Sequence, residues 1–186
     1  PEYRVVRFTS HSPDGLIRQI SKTPFLPKDP ATLSNRCWEM FEIQSNALAT
    51  RMAAIGKPKL VLGVSGGLDS TQAALVAAAA LGMAGQTRSD LICITLPGFG
   101  RSDGTRDNAE NLSRSLGATF KQISISDASR TVLTAVKHKI TDSVDTVQQL
   151  LEQLRAHPEL GDITLENVQA RLRTLLLMTL ANQYAG

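Results

Sequence analysis

The sequence predicts an α/β fold, a doubly wound parallel sheet flanked by helices. The short apolar runs Leu60–Val64 and Leu91–Leu96 show no alternation, as expected of strands covered on both faces. Each is followed by a stretch whose apolar residues suit a helix, and a third run, Phe120–Ile125, comes next. Strand, helix, strand, helix, strand is the order of a parallel sheet with helical crossovers.

Along the chain, residues 2–8 with Tyr3, Val5, Val6 and Phe8 read as a short strand, and Ser12-Pro13-Asp14-Gly15 as a turn. Pro24, Pro27 and Pro30 prevent a continuous helix, so residues 22–31 read as a linker. Thr32 is the expected N-cap of the first helix. Leu33, Cys37, Met40, Phe41, Leu48, Met52 and Ile55 would form its apolar face, with Trp38 at the margin and Gly56 after its end. The first strand leads into an Ala-rich helix near residues 70–84. The second leads into a glycine-containing loop, 97–104, and then a helix with Ala109, Leu112 and Leu116 on one face, ending at Gly117. After Asp127 the chain reads as mainly helical. Val132, Val136 and Ile140 mark one segment, and Val147, Leu150, Leu151 and Leu154 a second ending before Pro158. Val168, Leu172, Leu175, Leu176 and Thr179 mark the last helix.

The 186 residues, 42% of them hydrophobic, suit one domain with a sizeable core. A formal charge of +3, with Lys and Arg scattered among acids, argues against a duplex-DNA or other nucleic-acid partner. No apolar run approaches the roughly 18 residues of a membrane span. Cys37 and Cys93 fit no metal-site spacing or disulfide framework, which favours a reducing compartment, and Cys37 reads as a core residue rather than a nucleophile. His11, His138 and His157 stand in no catalytic arrangement. The chain opens at Pro1 without a charged-then-apolar leader and stops directly after a helical stretch, so it reads as a piece of a longer protein.

The chemistry concentrates in Gly63-Val64-Ser65-Gly66-Gly67-Leu68-Asp69-Ser70-Thr71, between the first strand and the Ala-rich helix. Ligands of doubly wound folds sit at this end of the strands. Gly66 and Gly67 can adopt positive φ and admit a ligand close to the backbone. Successive N–H groups ahead of a helix N-terminus form an anion nest, and Ser65, Ser70 and Thr71 add hydroxyls, so the loop suits a phosphate or pyrophosphate. It is neither a Walker A loop, since no Lys precedes Ser70, nor GxGxxG. Asp69 would repel a phosphate unless a divalent cation bridges them, and Mg²⁺ takes one or two carboxylates together with phosphate oxygens. The plainer alternative makes Asp69 an N-cap and the glycines a tight turn.

Ser65-Gly66-Gly67-Leu68-Asp69-Ser70 resembles the SGGxDS loop of the N-type ATP pyrophosphatases. These enzymes cleave ATP between the α and β phosphates, adenylylate a carboxyl or carbonyl oxygen and let a nitrogen nucleophile displace AMP. Two further stretches resemble the NAD synthetases among them. Leu96-Pro97-Gly98-Phe99-Gly100 with Thr105, Asp107, Asn108 and Ala109 is similar to their mobile loop after the second strand. Glu166-Asn167-Val168-Gln169-Ala170-Arg171-Leu172-Arg173 is similar to their ENxQARxR segment. The likeness runs from about Pro24 to the end of the chain and is greatest to the glutamine-dependent type.

That resemblance implies an adenine nucleotide alpha hydrolase-like fold, truncated on its C-terminal side. Residues 1–30 would be a linker from a missing N-terminal amidase domain, and 31–186 a partial NAD synthetase domain. The implied reaction is ATP-dependent amidation of deamido-NAD, with ammonia drawn from glutamine in the full-length protein. Residues Gly63 to Ser70 would bind ATP and its pyrophosphate, Asp69 would hold Mg²⁺, and Asn167 and Arg171 would contact deamido-NAD. No catalytic side chain is implied. A cytoplasmic homo-oligomer, a dimer or larger, is expected, with deamido-NAD near a subunit boundary. The family's GTxxxxE-type segment, which supplies an ATP-contacting Thr and a second Mg²⁺ carboxylate, lies beyond Gly186.

Arg171 and Arg173 are two apart and cannot share a helical face, so one can meet a ligand while the other meets solvent. Arg suits bidentate recognition of phosphate or carboxylate, although both could simply solubilise a helix. For Arg88, Arg101 and Arg106 a solvated charge is the default. The competing readings are a GMP synthetase, a tRNA-modifying ligase, or a non-catalytic module resembling the AMP-holding electron-transfer flavoproteins. The slight charge opposes the second, and Asp69 opposes the third.

Overall fold

The computed structural model describes residues 3–9, 20–99 and 103–184, with backbone alone at 103–106. The chain divides into two units, Pro1–Glu39 and Met40–Gly186, with the boundary inside the first helix.

In the first unit, residues 3–9 form no strand. Tyr3, Val5, Val6 and Phe8 are exposed, and no neighbour among the described residues pairs with their backbone. Ser12 to Gly15 lie outside the described residues. Helix α1, Pro30–Ala54, begins two residues ahead of the expected cap. Asp29, not Thr32, caps it: its carboxylate accepts from the Thr32 N–H and the Thr32 hydroxyl, each at 2.7 Å. These bonds hold the Asp29 carboxyl below its usual pKa. Pro30 fits this start because the first helical N–H has no intrahelical partner to lose. Cys37 is exposed, contrary to its reading as a core residue, and so are Trp38 and, at the first position of the second unit, Met40.

In the second unit, α1 turns a narrower stripe inward than its sequence suggests. Ser45 and Met52 are buried and Phe41, Leu48 and Ala49 half-buried, whereas Ile55 lies past the helix end and is exposed. The sheet has strands β1, Leu60–Gly63, β2, Leu91–Thr95, and β3, Thr119–Gln122, in the order β1-β2-β3 and all parallel. Helix α2, Leu68–Met83, connects the first pair and α3, Asp103–Ser115, the second. Helices α4, Ser126–Ala135, α5, Val147–Ala156, and α6, Ile163–Tyr184, complete the chain. Only β2 is buried at every position; β1 and β3, the outer strands, are at most half-buried, because each has one neighbour among the described residues.

Strand alternation sorts the side chains into two layers. Leu60, Leu62, Leu91, Cys93 and Phe120 face α1, α2 and α3, where Met52, Ala77, Leu81 and Ala109 close the core. Burial among these apolar groups raises the Cys93 thiol pKa. Val61, Ile92, Ile94 and Ile123 face the opposite way, toward Leu176, Leu177 and Leu180 of α6. Alanines at 74, 77, 78 and 80 let α2 lie close on the strands. A separate core of Leu133, Ile140, Leu150, Leu165 and Val168 joins α4, α5 and the start of α6. The expected apolar faces miss at Val132, Val136, Leu175 and Thr179, all exposed.

Asp162 caps α6. Its Oδ1 accepts from the Thr164 and Leu165 N–H groups at 3.0 and 3.1 Å, and His138 Nε2 lies 3.1 Å from both carboxylate oxygens. His138 Nδ1 accepts from the Ile140 N–H, so Nε2 carries the proton of the neutral ring. The Leu165 N–H, then the His138 contact, draw the Asp162 carboxyl below its ordinary pKa.

Two expectations follow. Leu81 is fully buried, and Leu81→Ala should cost about 2–5 kcal/mol in urea unfolding. Asp162 has a lowered folded pKa, so its stabilisation is complete above the unfolded carboxylate pKa of about 3.9 and is lost as pH falls through the lower folded value. The Tm gap between wild type and Asp162→Ala should therefore be full at pH 7 and narrow as pH falls below about 3.9; a gap that stays constant below that pH would refute the cap's electrostatic part.

Candidate functional site

The loop of residues 63–71 leaves the carboxyl end of β1 and enters α2. Val64, buried, is tied to the sheet by its N–H on the Ile94 carbonyl at 2.9 Å. Gly66 then turns the chain with φ +77°, a left-handed conformation that costs other residues energy. Gly67 does not need that freedom: it is the N-cap of α2, at φ −92°.

A knot of hydroxyls fixes the turn. Ser70 Oγ accepts from the Ser65 N–H at 3.2 Å, lies 3.1 Å from Ser65 Oγ and donates to the Gly67 carbonyl at 3.1 Å. Ser65 Oγ accepts from the Gly67 N–H at 3.3 Å, and the Thr71 hydroxyl donates to the Gly67 carbonyl at 2.9 Å. Thr71 is thus occupied in closing the helix start. The N–H groups of Leu68, Asp69 and Ser70 have no intrahelical acceptor, and none of the described residues supplies another. They are aligned with the positive end of the α2 dipole, which favours an anion.

Asp69 is not the N-cap. It lies in the first turn of α2, exposed, and its carboxylate has no hydrogen bond or ion pair among the described residues. Leu68 beside it is 84% exposed. Two cavities flank the loop. One of about 160 Å³ lies over the carboxyl ends of β1 and β2, lined by Gly63, Val64, Ser65, Leu96, Arg173 and Leu177. It has room for one compact group. Gly63 lets Leu177 come close at its wall, because a Cβ there would stand 2.9 Å from Leu177 Cδ1 and that methyl would have to move. The other, about 470 Å³ and mainly apolar, runs beside β1 between Leu48, Leu60, Leu62 and Val76, with Asp69 and Gln72 at its rim.

Helix α6 sends its two arginines to different places. Arg173 is half-buried, lines the small cavity and donates from Nε to the Leu96 carbonyl at 3.2 Å. Arg171 is exposed, one turn after exposed Asn167 on the same face. The structure therefore brings Gly63, Val64, Ser65 and Arg173 together around one cavity but leaves Asn167 and Arg171 outside it. Arg101 lies outside the described residues, and only the backbone of Arg106 is described. Among the described residues no three His, Cys, Asp or Glu converge as a metal cluster.

Two residues of this region carry more than their sequence context suggests. The sequence assigns a ligand contact to Arg171, whereas it is Arg173 that is half-buried and lines the small cavity. Gln169 is buried, and the available signal was its position: it falls in the apolar stripe Leu165, Val168, Leu172 and Leu176, where an amide needs a partner.

A parallel sheet between helical layers, with unclaimed N–H groups where β1 becomes α2, gives the chain the adenine nucleotide alpha hydrolase-like fold. Within it, the chain belongs to the NAD synthase family, whose profile matches residues 40–186. It is 42% identical over 172 residues, 92% of its length, to the glutamine-dependent NAD(+) synthetase of Mycobacterium leprae. It is 34% identical over 131 residues, 70% of its length, to the one of Rhodobacter capsulatus. The matched stretches are 23% and 20% of those proteins, so the chain spans less than a quarter of the relatives' length. The glutamine-dependent NAD+ synthetase from Acinetobacter baumannii in complex with ADP superposes with a TM-score of 0.63, over 80% of this chain and 24% of that one, a likeness of fold at 23% identity. No helix of the described residues is long and apolar enough to cross a membrane.

Gly66→Ala should destabilise the chain by about 1–2 kcal/mol in denaturant unfolding, the cost of a Cβ in the left-handed region. An unchanged midpoint would mean that the turn relaxes to negative φ.

Proposed function

We propose that residues 31–186 are the ATP-pyrophosphatase part of a glutamine-dependent NAD synthetase and that residues 1–30 link it to an amidase domain. The observation that carries the reading is the start of α2: free N–H groups and the Ser65–Ser70 knot beside an unpartnered carboxylate, in a chain of the NAD synthase family.

ATP would lie with its base in the small cavity over β1 and β2 and its β and γ phosphates on residues 65–70. The N–H groups of Leu68, Asp69 and Ser70 then neutralise the departing pyrophosphate without reorganising, the condition under which fixed dipoles accelerate most. The nicotinate carboxylate of deamido-NAD attacks the α-phosphorus, the α–β bridging bond breaks and pyrophosphate leaves. Ammonia next attacks the adenylated carbonyl, AMP departs, and a proton goes to solvent. Neither step requires a side-chain nucleophile, and orientation of the two substrates supplies much of the rate.

The donor set fits Mg²⁺. A single exposed carboxylate beside an anion nest suits an ion that keeps waters and takes its remaining oxygens from phosphates, and no enclosed protein cage is needed. Asp69 would hold it, and when bound it offsets phosphate charge. A purely structural AMP site would leave that carboxylate without a use. Asn167 and Arg171, one turn apart on the outer face of α6 with exposed Leu175 and Met178, support a deamido-NAD contact near a boundary between identical subunits. Free Cys37 and Cys93 support a cytoplasmic setting.

The test uses the complete parent chain with ATP, Mg²⁺ and either ammonium or glutamine, with and without deamido-NAD. AMP and NAD should form together and only with deamido-NAD; AMP without NAD would move the substrate to another carboxylate or carbonyl compound. Asp69→Asn should lower kcat on the order of 10²–10³-fold with Tm unchanged, since Asp69 supports no contact in the fold. An unaltered kcat would remove the metal role.

A further inference from the structure

A buried amide must place both its oxygen and its nitrogen or it destabilises the core. Gln169 of α6 is 5% exposed and places both. Its Oε1 accepts from the Phe99 N–H at 2.8 Å, across seventy positions of sequence, and its Nε2 donates to the Leu165 carbonyl at 3.3 Å. The second bond is local to the helix and fixes the side chain's rotamer, while the first reaches the segment that leaves β2. That segment is shaped to receive it, because a Cβ on Gly98 would collide with Gln169 Oε1.

One helical turn later Arg173 donates to the Leu96 carbonyl at 3.2 Å. Residues 96 and 99 are therefore both gripped by α6, and between them the Pro97 carbonyl accepts from the Ile125 N–H at 2.9 Å. Phe99 itself is buried in the helical core. An apolar side chain at 169 would bury as much surface. What the amide adds is direction, since it fixes one backbone N–H of the β2 exit relative to α6. Gln169 lies two positions from Asn167 and two from Arg171, so the β2 exit and those exposed side chains are carried by one element.

We propose that Gln169, received by Gly98, is a positioning residue that holds the β2 exit against α6, so that the nucleotide end of the sheet and the Asn167–Arg171 face keep one geometry during adenylylation. This rests on the function proposed above. It touches neither substrate. Its loss should cost alignment rather than binding, since residues 65–70 and the Asn167–Arg171 face keep their own groups and only their placement relative to each other changes.

The experiment is done in the complete parent chain with steady-state kinetics and amide exchange. Gln169→Met keeps length and volume but cannot accept the Phe99 N–H. It should lower kcat about 10²-fold with the KM values for ATP and deamido-NAD within about three-fold, the pattern of a misplaced reacting pair. Exchange of the Phe99 amide should rise at least about ten-fold, as expected of an opened hydrogen bond. Gly98→Ala should give the same kcat–KM pattern by pushing Oε1 away, and it supplies the readouts if Gln169→Met melts below assay temperature. In Gly98→Ala with Gln169→Ala, the added Cβ meets no amide, so the double variant should match Gln169→Ala alone instead of multiplying the two losses. Wild-type kcat in Gln169→Met, losses that fall in KM only, or multiplicative effects in the pair would overturn the positioning role. A wild-type parent that forms no NAD would instead overturn the functional reading, and the proposal with it.

Discussion

Helix α6 is the constraint on which the second unit depends, because one continuous helix serves two cores. Its first turns place Leu165, Val168 and Leu172 among α4 and α5, and its last turns place Leu176, Leu177 and Leu180 on the sheet. The helix can satisfy both only if its position along its own axis is set. Asp162 sets the start by capping, Gln169 and Arg173 set the middle by gripping the β2 exit, and Leu177 sets the far end by filling the space that Gly63 leaves open. Apolar packing supplies the driving force, but it is non-directional. The polar contacts turn it into a register.

The loop after β1 follows the opposite logic. Little apolar surface is buried there beyond Val64, and the turn is held by hydroxyls that bond to one another and to the Gly67 carbonyl. Because Ser65, Ser70 and Thr71 satisfy the loop's own needs, the backbone N–H groups at the start of α2 stay unclaimed. Asp69, the one charged side chain of the loop, is likewise left out of the internal bonding. Stability and chemistry are thus assigned to different atoms of the same few residues.

Much of this was legible in the sequence, and the exceptions have physical causes. The strands were readable because residues such as Ile92 and Ile94 can only sit between two covers, and the loop's place between β1 and α2 because glycines and serines directly after a buried strand mark a turn into a helix. Periodicity failed where it listed apolar residues without knowing what would cover them, as at Cys37, Val136 and Leu175. Asp29 rather than Thr32 caps α1 because Pro30, at the first helical position, has no intrahelical N–H bond to lose and is no barrier there. Gln169 could not be interpreted, since its partner is a backbone N–H seventy positions away, which no local pattern encodes.

The order in which the elements are made has a consequence for the protein during its synthesis. The strands bearing Val61, Ile92 and Ile94 leave the ribosome before α6 does, and the face they form waits for residues 176–184 to cover it. Until then a greasy surface is open to water and to other nascent chains, the condition in which partly made proteins stick together. The same long separation between β1 and α6 makes their contact a late and slow one to find. A chain halted short of α6 would be a sheet with one side bare, a natural client for chaperones, and α6 is the element that covers that side.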